Sequence, residues 1–161
     1  MKPKDLIGPI IALAGTALIS SLSFTPLARR EILSRDGWRS VISGRSWADG
    51  WNLHGSHETF PVDLHKKGWD SNPNNGHAVT VDEHILQEIV RGNIRGARLT
   101  HSQHTIRNYD WICAQAGITR NQLSQEIVDQ YDEKEPFEYY VEKASRLTPE
   151  HFDMRNIAVE V

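Results

Sequence analysis

The sequence predicts an α+β protein in three parts: an apolar segment over residues 1–28, a histidine-rich unit over 29–97 and a mainly helical region over 98–161. Three observations carry this prediction. No charged residue occurs from Leu6 to Ala28. Thr80-Val81-Asp82-Glu83 has the form of a capping box, and Ile85, Ile89 and Val90 follow at helical spacing. Helical patterning returns at Trp111 to Ala116 and Asn121 to Tyr131, with Gly117 between them.

The first segment is long enough to cross a hydrocarbon core, for which about 20 apolar residues suffice. Residues 6–28 are expected to anchor the chain in a membrane, to act as an export signal, or to fold as a buried helix. Insertion would make the protein membrane-associated or exported; otherwise it is cytoplasmic. A short helix is expected over residues 29–37, ended by Gly37, and a turn-rich stretch with Trp38, Trp47 and Trp51 follows. Phe60 to Asn75 reads as loop because of Pro61, Gly68, Pro73 and the asparagines at its end. In the capped helix Asp82 and Glu83 suit the positive end of the dipole, and Gly92 or Gly96 is expected to end it. Pro136, Pro149 and irregular acidic residues predict a loosely packed tail, with Asp132 to Glu135 as a solvated turn.

The bulk numbers narrow the chemistry. The single Cys113 excludes an intramolecular disulfide and any multi-cysteine zinc site. A formal charge of −3 argues against a dedicated nucleic-acid coat, whose affinity comes from many lysines and arginines. It leaves room for a local basic face.

Metal-assisted phosphodiester cleavage needs a base to activate water, a divalent ion to stabilise developing charge, and a polar group to orient the base. Histidine supplies a base near neutral pH. Asparagine keeps both donor and acceptor at every pH. A histidine on a helix supplies a ligand nitrogen. The chain presents, in order, Arg35-Asp36-Gly37, Ser40-x-x-Ser43-Gly44, Leu53 through His57, Asn75-Gly76 and His84. Over residues 30–90 this resembles the HNH (His-Me finger) endonucleases. The resemblance implies a ββα-metal finger in which a strand ends in the catalytic histidine and a helix carries a metal-binding one. It implies that His57 is the general base, that Asn75 orients it or braces the loop that follows, and that His84 binds a divalent ion (Mg, Mn, Ni or Zn). DNA is the implied substrate and partner.

Two departures from the family pattern matter. Many members carry two cysteine pairs that hold a structural zinc; Ser40 and Ser43 stand at the first pair here, and Thr80 and Glu83 at the second. No structural zinc is expected, and packing of Trp38, Trp47 and Trp51 is expected to hold the knuckle instead. The residue before the catalytic histidine is usually a metal ligand, whereas Ser56 is a poor one. His54, Glu58, Asp63, His65 and His77 are candidates to replace it, His54 being the histidine closest in sequence. Glu88, on the same helix face as His84, is a further candidate ligand. An alternative registration takes Asp63-x-His65 as the strand-end pair and keeps Asn75 and His84.

Residues 112–127 resemble a helix-turn-helix, with Gly117 in the turn and Arg120, Asn121 and Gln122 opening the second helix. Arginine pairs with guanine edges, and asparagine and glutamine with adenine. An ordinary helical hairpin is the alternative. Arg91, Arg95, Arg98, Arg107, Lys66 and Lys67 are the expected phosphate contacts. The expected function is therefore metal-dependent endonuclease, with an inactive nucleic-acid-binding descendant or a membrane-anchored interaction protein as alternatives.

Overall fold

Thr25 starts the first helix, α1 (Pro26–Arg35): its hydroxyl accepts from Ala28 N, and Pro26 occupies a position where the missing N–H costs nothing. The computed structural model describes residues 24–57 and 72–152. α1 thus begins within the expected apolar segment, ahead of the expected division at 28/29. Most of that segment lies outside the described residues. Among the described residues, no helix is long and apolar enough to cross a membrane.

The described chain is α+β, with six α-helices and one two-stranded antiparallel sheet. Strand β1 (Leu53–His57) pairs with β2 (Gly76–Thr80), with Leu53 opposite Thr80 and His57 opposite Gly76. The Arg-Asp-Gly turn binds this sheet to α1. Asp36 Oδ2 accepts from Ala78 N at 2.8 Å, and Arg35 donates to Pro73 O at 2.9 Å and to Gly76 O. Strand alternation gives the sheet two faces. Leu53 and Ala78 pack with Leu33 and Trp47 on the α1 side. A Cβ at Gly76 would lie 2.5 Å from the Phe24 ring, so a glycine is required for this approach. His54 and Ser56 face the other side, toward α2 (Val81–Val90).

The helix α2 forms as its local sequence predicts. Thr80 accepts from Glu83 N at 3.4 Å, and the Glu83 carboxylate accepts from Thr80 N at 3.1 Å, completing the capping box. The left-handed Gly92 follows its end. Asn93 then caps α3 (Ile94–Gln103), so the expected division at 97/98 falls inside a helix.

Two expectations are corrected and one is extended. First, the turn over residues 40–43 is tied to α2 by hydrogen bonds in addition to tryptophan packing, with Trp47 against Leu33, Leu53 and Ala78 and Trp51 against the core that α2 shares. The Ser40 and Ser43 hydroxyls both donate to the Glu83 carboxylate, one to each oxygen. Trp38 and Trp47 do meet edge to face at 5.8 Å, while Trp51 lies between the guanidinium groups of Arg45 and Arg107, at 4.2 and 4.0 Å. Second, the tail is packed. Helix α4 (Tyr109–Ala116) and helix α5 (Gln125–Tyr131) lead to α6 (Phe137–Ala144), whose Phe137, Tyr140 and Ala144 are buried with Val81, Ile85 and Leu86 of α2. The supposed solvated turn is pinned, because Asp132 accepts from Ile106 N at 2.9 Å and Lys134 donates to His104 O at 2.8 Å. Third, Arg120, Asn121 and Gln122 form a 3-10 turn instead of opening a helix. Gln122 folds back to accept from Thr119 N at 2.8 Å, and α5 starts later, on the better cap Ser124.

Replacing Glu83 by alanine strips two serine hydroxyls and one backbone N–H of their acceptor. A loss of about 3 kcal/mol in urea unfolding is expected, since each buried donor left unpaired costs ~1–3 kcal/mol. Glu83→Gln, which keeps one acceptor oxygen, should lose less than Glu83→Ala.

Candidate functional site

Strand β1 and the first turn of α2 bring two imidazoles together. His54 Nδ1 lies 3.0 Å from His84 Nδ1. On the far side of the His84 ring, Nε2 lies 3.6 Å from Glu88 Oε1 one turn along the helix. The other Glu88 oxygen accepts from Asn93 Nδ2. A third histidine, His104 at the end of α3, meets His54 edge to face with ring centroids 4.2 Å apart. His54 is buried, and its Nε2 has no hydrogen-bond partner. Below this pair the fully buried Ser56 donates to Gln87 Oε1, also fully buried.

The electrostatics favour the neutral form of His54 and His104 and the ionised form of Glu88. Burial pushes His54 well below the ordinary imidazole range, and charge on His84, His104 and Arg29 adds to the effect. Burial also takes His104 down to about 4, aided by His84, Arg29 and Lys134. Burial works against ionisation of Glu88, but the hydrogen bond and charge of His84, the hydrogen bond of Asn93 and the charge of Arg91 outweigh it and hold that carboxyl low. Neutral imidazole is the form that binds metal.

The expected site residues divide into two groups. His84, His54 and Glu88 converge. Glu88, expected as a ligand, instead faces the His84 nitrogen opposite the one shared with His54, so it is placed to orient that ring. His57 does not join them. Period-two alternation turns it to the α1 side, where it stacks on Phe24 with centroids 4.0 Å apart and an interplanar angle of 15°. Its carbonyl accepts from Arg91, which is thereby engaged within the fold. Asn75, buried at the end of a 3-10 turn, immediately precedes Gly76, the ladder partner of His57. The two strand ends meet at the His57–Gly76 pair, with Asn75 one residue before it.

The remaining candidates scatter. His77 Nδ1 lies 3.8 Å from Asp36. Arg95 and Arg98 line a surface cavity with Phe137. Arg120 lies 3.9 Å from Asp110, and Asn121 and Gln122 are exposed. Glu58, Asp63, His65, Lys66 and Lys67 lie outside the described residues. Among the described residues, no group of three or more His, Cys, Asp and Glu side chains converges as a ready-made metal cage. Sequence reasoning missed His104 and Arg29. Both reach the site through tertiary packing, which no local spacing announces.

No protein-family model, curated protein or solved structure matches the chain.

A pH dependence of stability follows. His54 and His104 have folded-state values below the ordinary 6.5, so the unfolded chain binds more protons at lower pH. Their contribution is complete above about pH 6.5 and is lost as pH falls toward 4. The groups facing them are His84, Arg29 and Lys134, with Glu88 beyond His84. Thermal unfolding in chelator should show the midpoint falling over that window, and His104→Asn should flatten the decline.

Proposed function

We propose that this chain is a divalent-metal-dependent endonuclease of the ββα-metal type. The observation that supports it most is the His54–His84 pair, held between a strand and a capped helix with Glu88 behind His84. The 3.0 Å nitrogen separation is close to the ~3.3 Å edge of a tetrahedron with metal–nitrogen bonds of ~2.0–2.1 Å. Two imidazole ligands suit zinc or nickel, with water and substrate phosphate oxygens completing the shell. The convergence of Ser40, Ser43, Thr80 and Glu83, the positions of the family's cysteine pairs, also supports this reading of the fold.

Each residue has a physical task. His54 and His84 hold the ion, and Glu88 fixes the tautomer and orientation of the His84 ring. When bound, the ion supplies Lewis-acid stabilisation of charge on the phosphate and leaving oxygens. Strand alternation places His57 on the face of the sheet opposite this ion, so the role of general base that the resemblance implies is not carried over to it. Asn75 braces the strand end that carries His57.

A second reading, a binding module descended from such an enzyme, is favoured by one observation: His57 is buried and Ser56 is spent on Gln87. Plasmid cleavage by the full chain separates the two readings. The nuclease reading expects nicking with Mg, Mn, Ni or Zn that stops in chelator and falls at least about 100-fold in His84→Ala and in His54→Ala, because each removes a ligand of the ion that stabilises the developing charge. Retained DNA binding without cleavage under any metal would establish the second reading and remove the first.

A further inference from the structure

A cavity of about 220 Å³ opens beside the histidine cluster, lined by Arg29, Trp47, Asn52, His104, Asn108 and Tyr109, among others. We propose that it is an anion subsite in which Arg29 binds a phosphate group of a nucleic-acid strand. The strand assignment rests on the nuclease reading; the anion assignment does not.

The charge on Arg29 is the central observation. The side chain is half-buried and, among the described residues, makes one hydrogen bond, from Nη2 to Leu53 O at 2.8 Å. Its Nε is buried without a partner. Among the described residues no carboxylate pairs with it, and no acidic side chain lines the cavity. A guanidinium partly withdrawn from water without an opposite charge carries a desolvation cost that an anion would offset. A bound anion provides that charge, and the planar guanidinium suits the paired oxygens of a phosphate.

The walls support the same occupant. Asn52 Nδ2 is committed to Thr105 O and Asn108 Nδ2 to Trp47 O, each at 2.8 Å, so these amides shape the cavity rather than read a ligand. Arg29, His104 and the Tyr109 hydroxyl remain as groups able to donate. Trp47 and Tyr109 add aromatic surface of the kind on which sugars and bases rest. The anchor of Arg29, Leu53 O, immediately precedes His54 in the chain. A strand phosphate held there lies next to the proposed metal position, which suits it to the phosphate neighbouring the scissile one.

The test uses the full chain in chelator, where no cleavage occurs, so its failure is separate from failure of the nuclease reading. Inorganic phosphate is titrated against the indole NMR signal of Trp47, assigned with Trp47→Phe. A saturable shift is expected in the wild type, weakened at least about tenfold in Arg29→Lys and abolished in Arg29→Met. A duplex oligonucleotide should displace the phosphate, and Arg29→Lys should bind that duplex less tightly than wild type. If Arg29→Met folds, the slope of log affinity against log salt should fall by about one. An absent phosphate shift, or an equal one in Arg29→Lys, overturns the subsite. A duplex that binds while leaving the phosphate in place overturns its assignment to a nucleic-acid strand. Arg29→Lys and the competition decide the matter even if Arg29→Met fails to fold.

Discussion

The Glu83 carboxylate is the interaction on which the arrangement depends. It accepts from Thr80 N, which sets the start of α2, and from the hydroxyls of Ser40 and Ser43, which hold the knuckle to that start. His84 is the next residue. The tether that orders the helix end therefore also fixes where His84 emerges, and with it the approach to His54. A single carboxylate with three donors thus ties the turn over residues 40–43 to the helix start. It works because ionised acceptors make shorter, stronger bonds than neutral ones.

Between sheet and helix lies a polar layer where an apolar one is the cheaper solution. Ser56 and Gln87 satisfy each other, but His54 keeps an unpartnered nitrogen and Arg29 an unpartnered Nε. Such groups are costly in a low-dielectric interior. Stability comes mainly from the other side of α2, where Ile85 and Leu86 pack against Phe137 and Tyr140 of α6. The fold thus separates its apolar core from a polar face on the same helix. That division is expected where a site, rather than stability, decides the residues.

Much of this was legible in the sequence where the signal was local. Thr80 and Glu83 announced the start of α2, and the Arg35-Asp36-Gly37 turn stands where α1 ends. The positions of Ser40, Ser43, Thr80 and Glu83 were readable as a group, though their mutual hydrogen bonds were not, because serine and glutamate have no fixed pairing geometry. The period of a strand separates His57 from His54 and Ser56, and that much needs no structure. What period alone cannot give is which face meets α2. His104 and Arg29 reach the site only through the packing of α3 and α1. The stripe of α6 was obscured by the prolines around it, which bound the helix without loosening it.

The central claim is that His54 and His84 hold one divalent ion. Cobalt(II) titration of the full chain, followed by its visible absorption, tests it most directly. The account predicts one bound ion per chain, with an absorption band of nitrogen ligation that disappears in His54→Ala and in His84→Ala. It also predicts that Glu88→Gln retains the band with affinity about 10–100-fold weaker, the range for loss of an orienting partner. A folded wild type that takes up no ion, or one whose ion persists in both histidine variants, would contradict it.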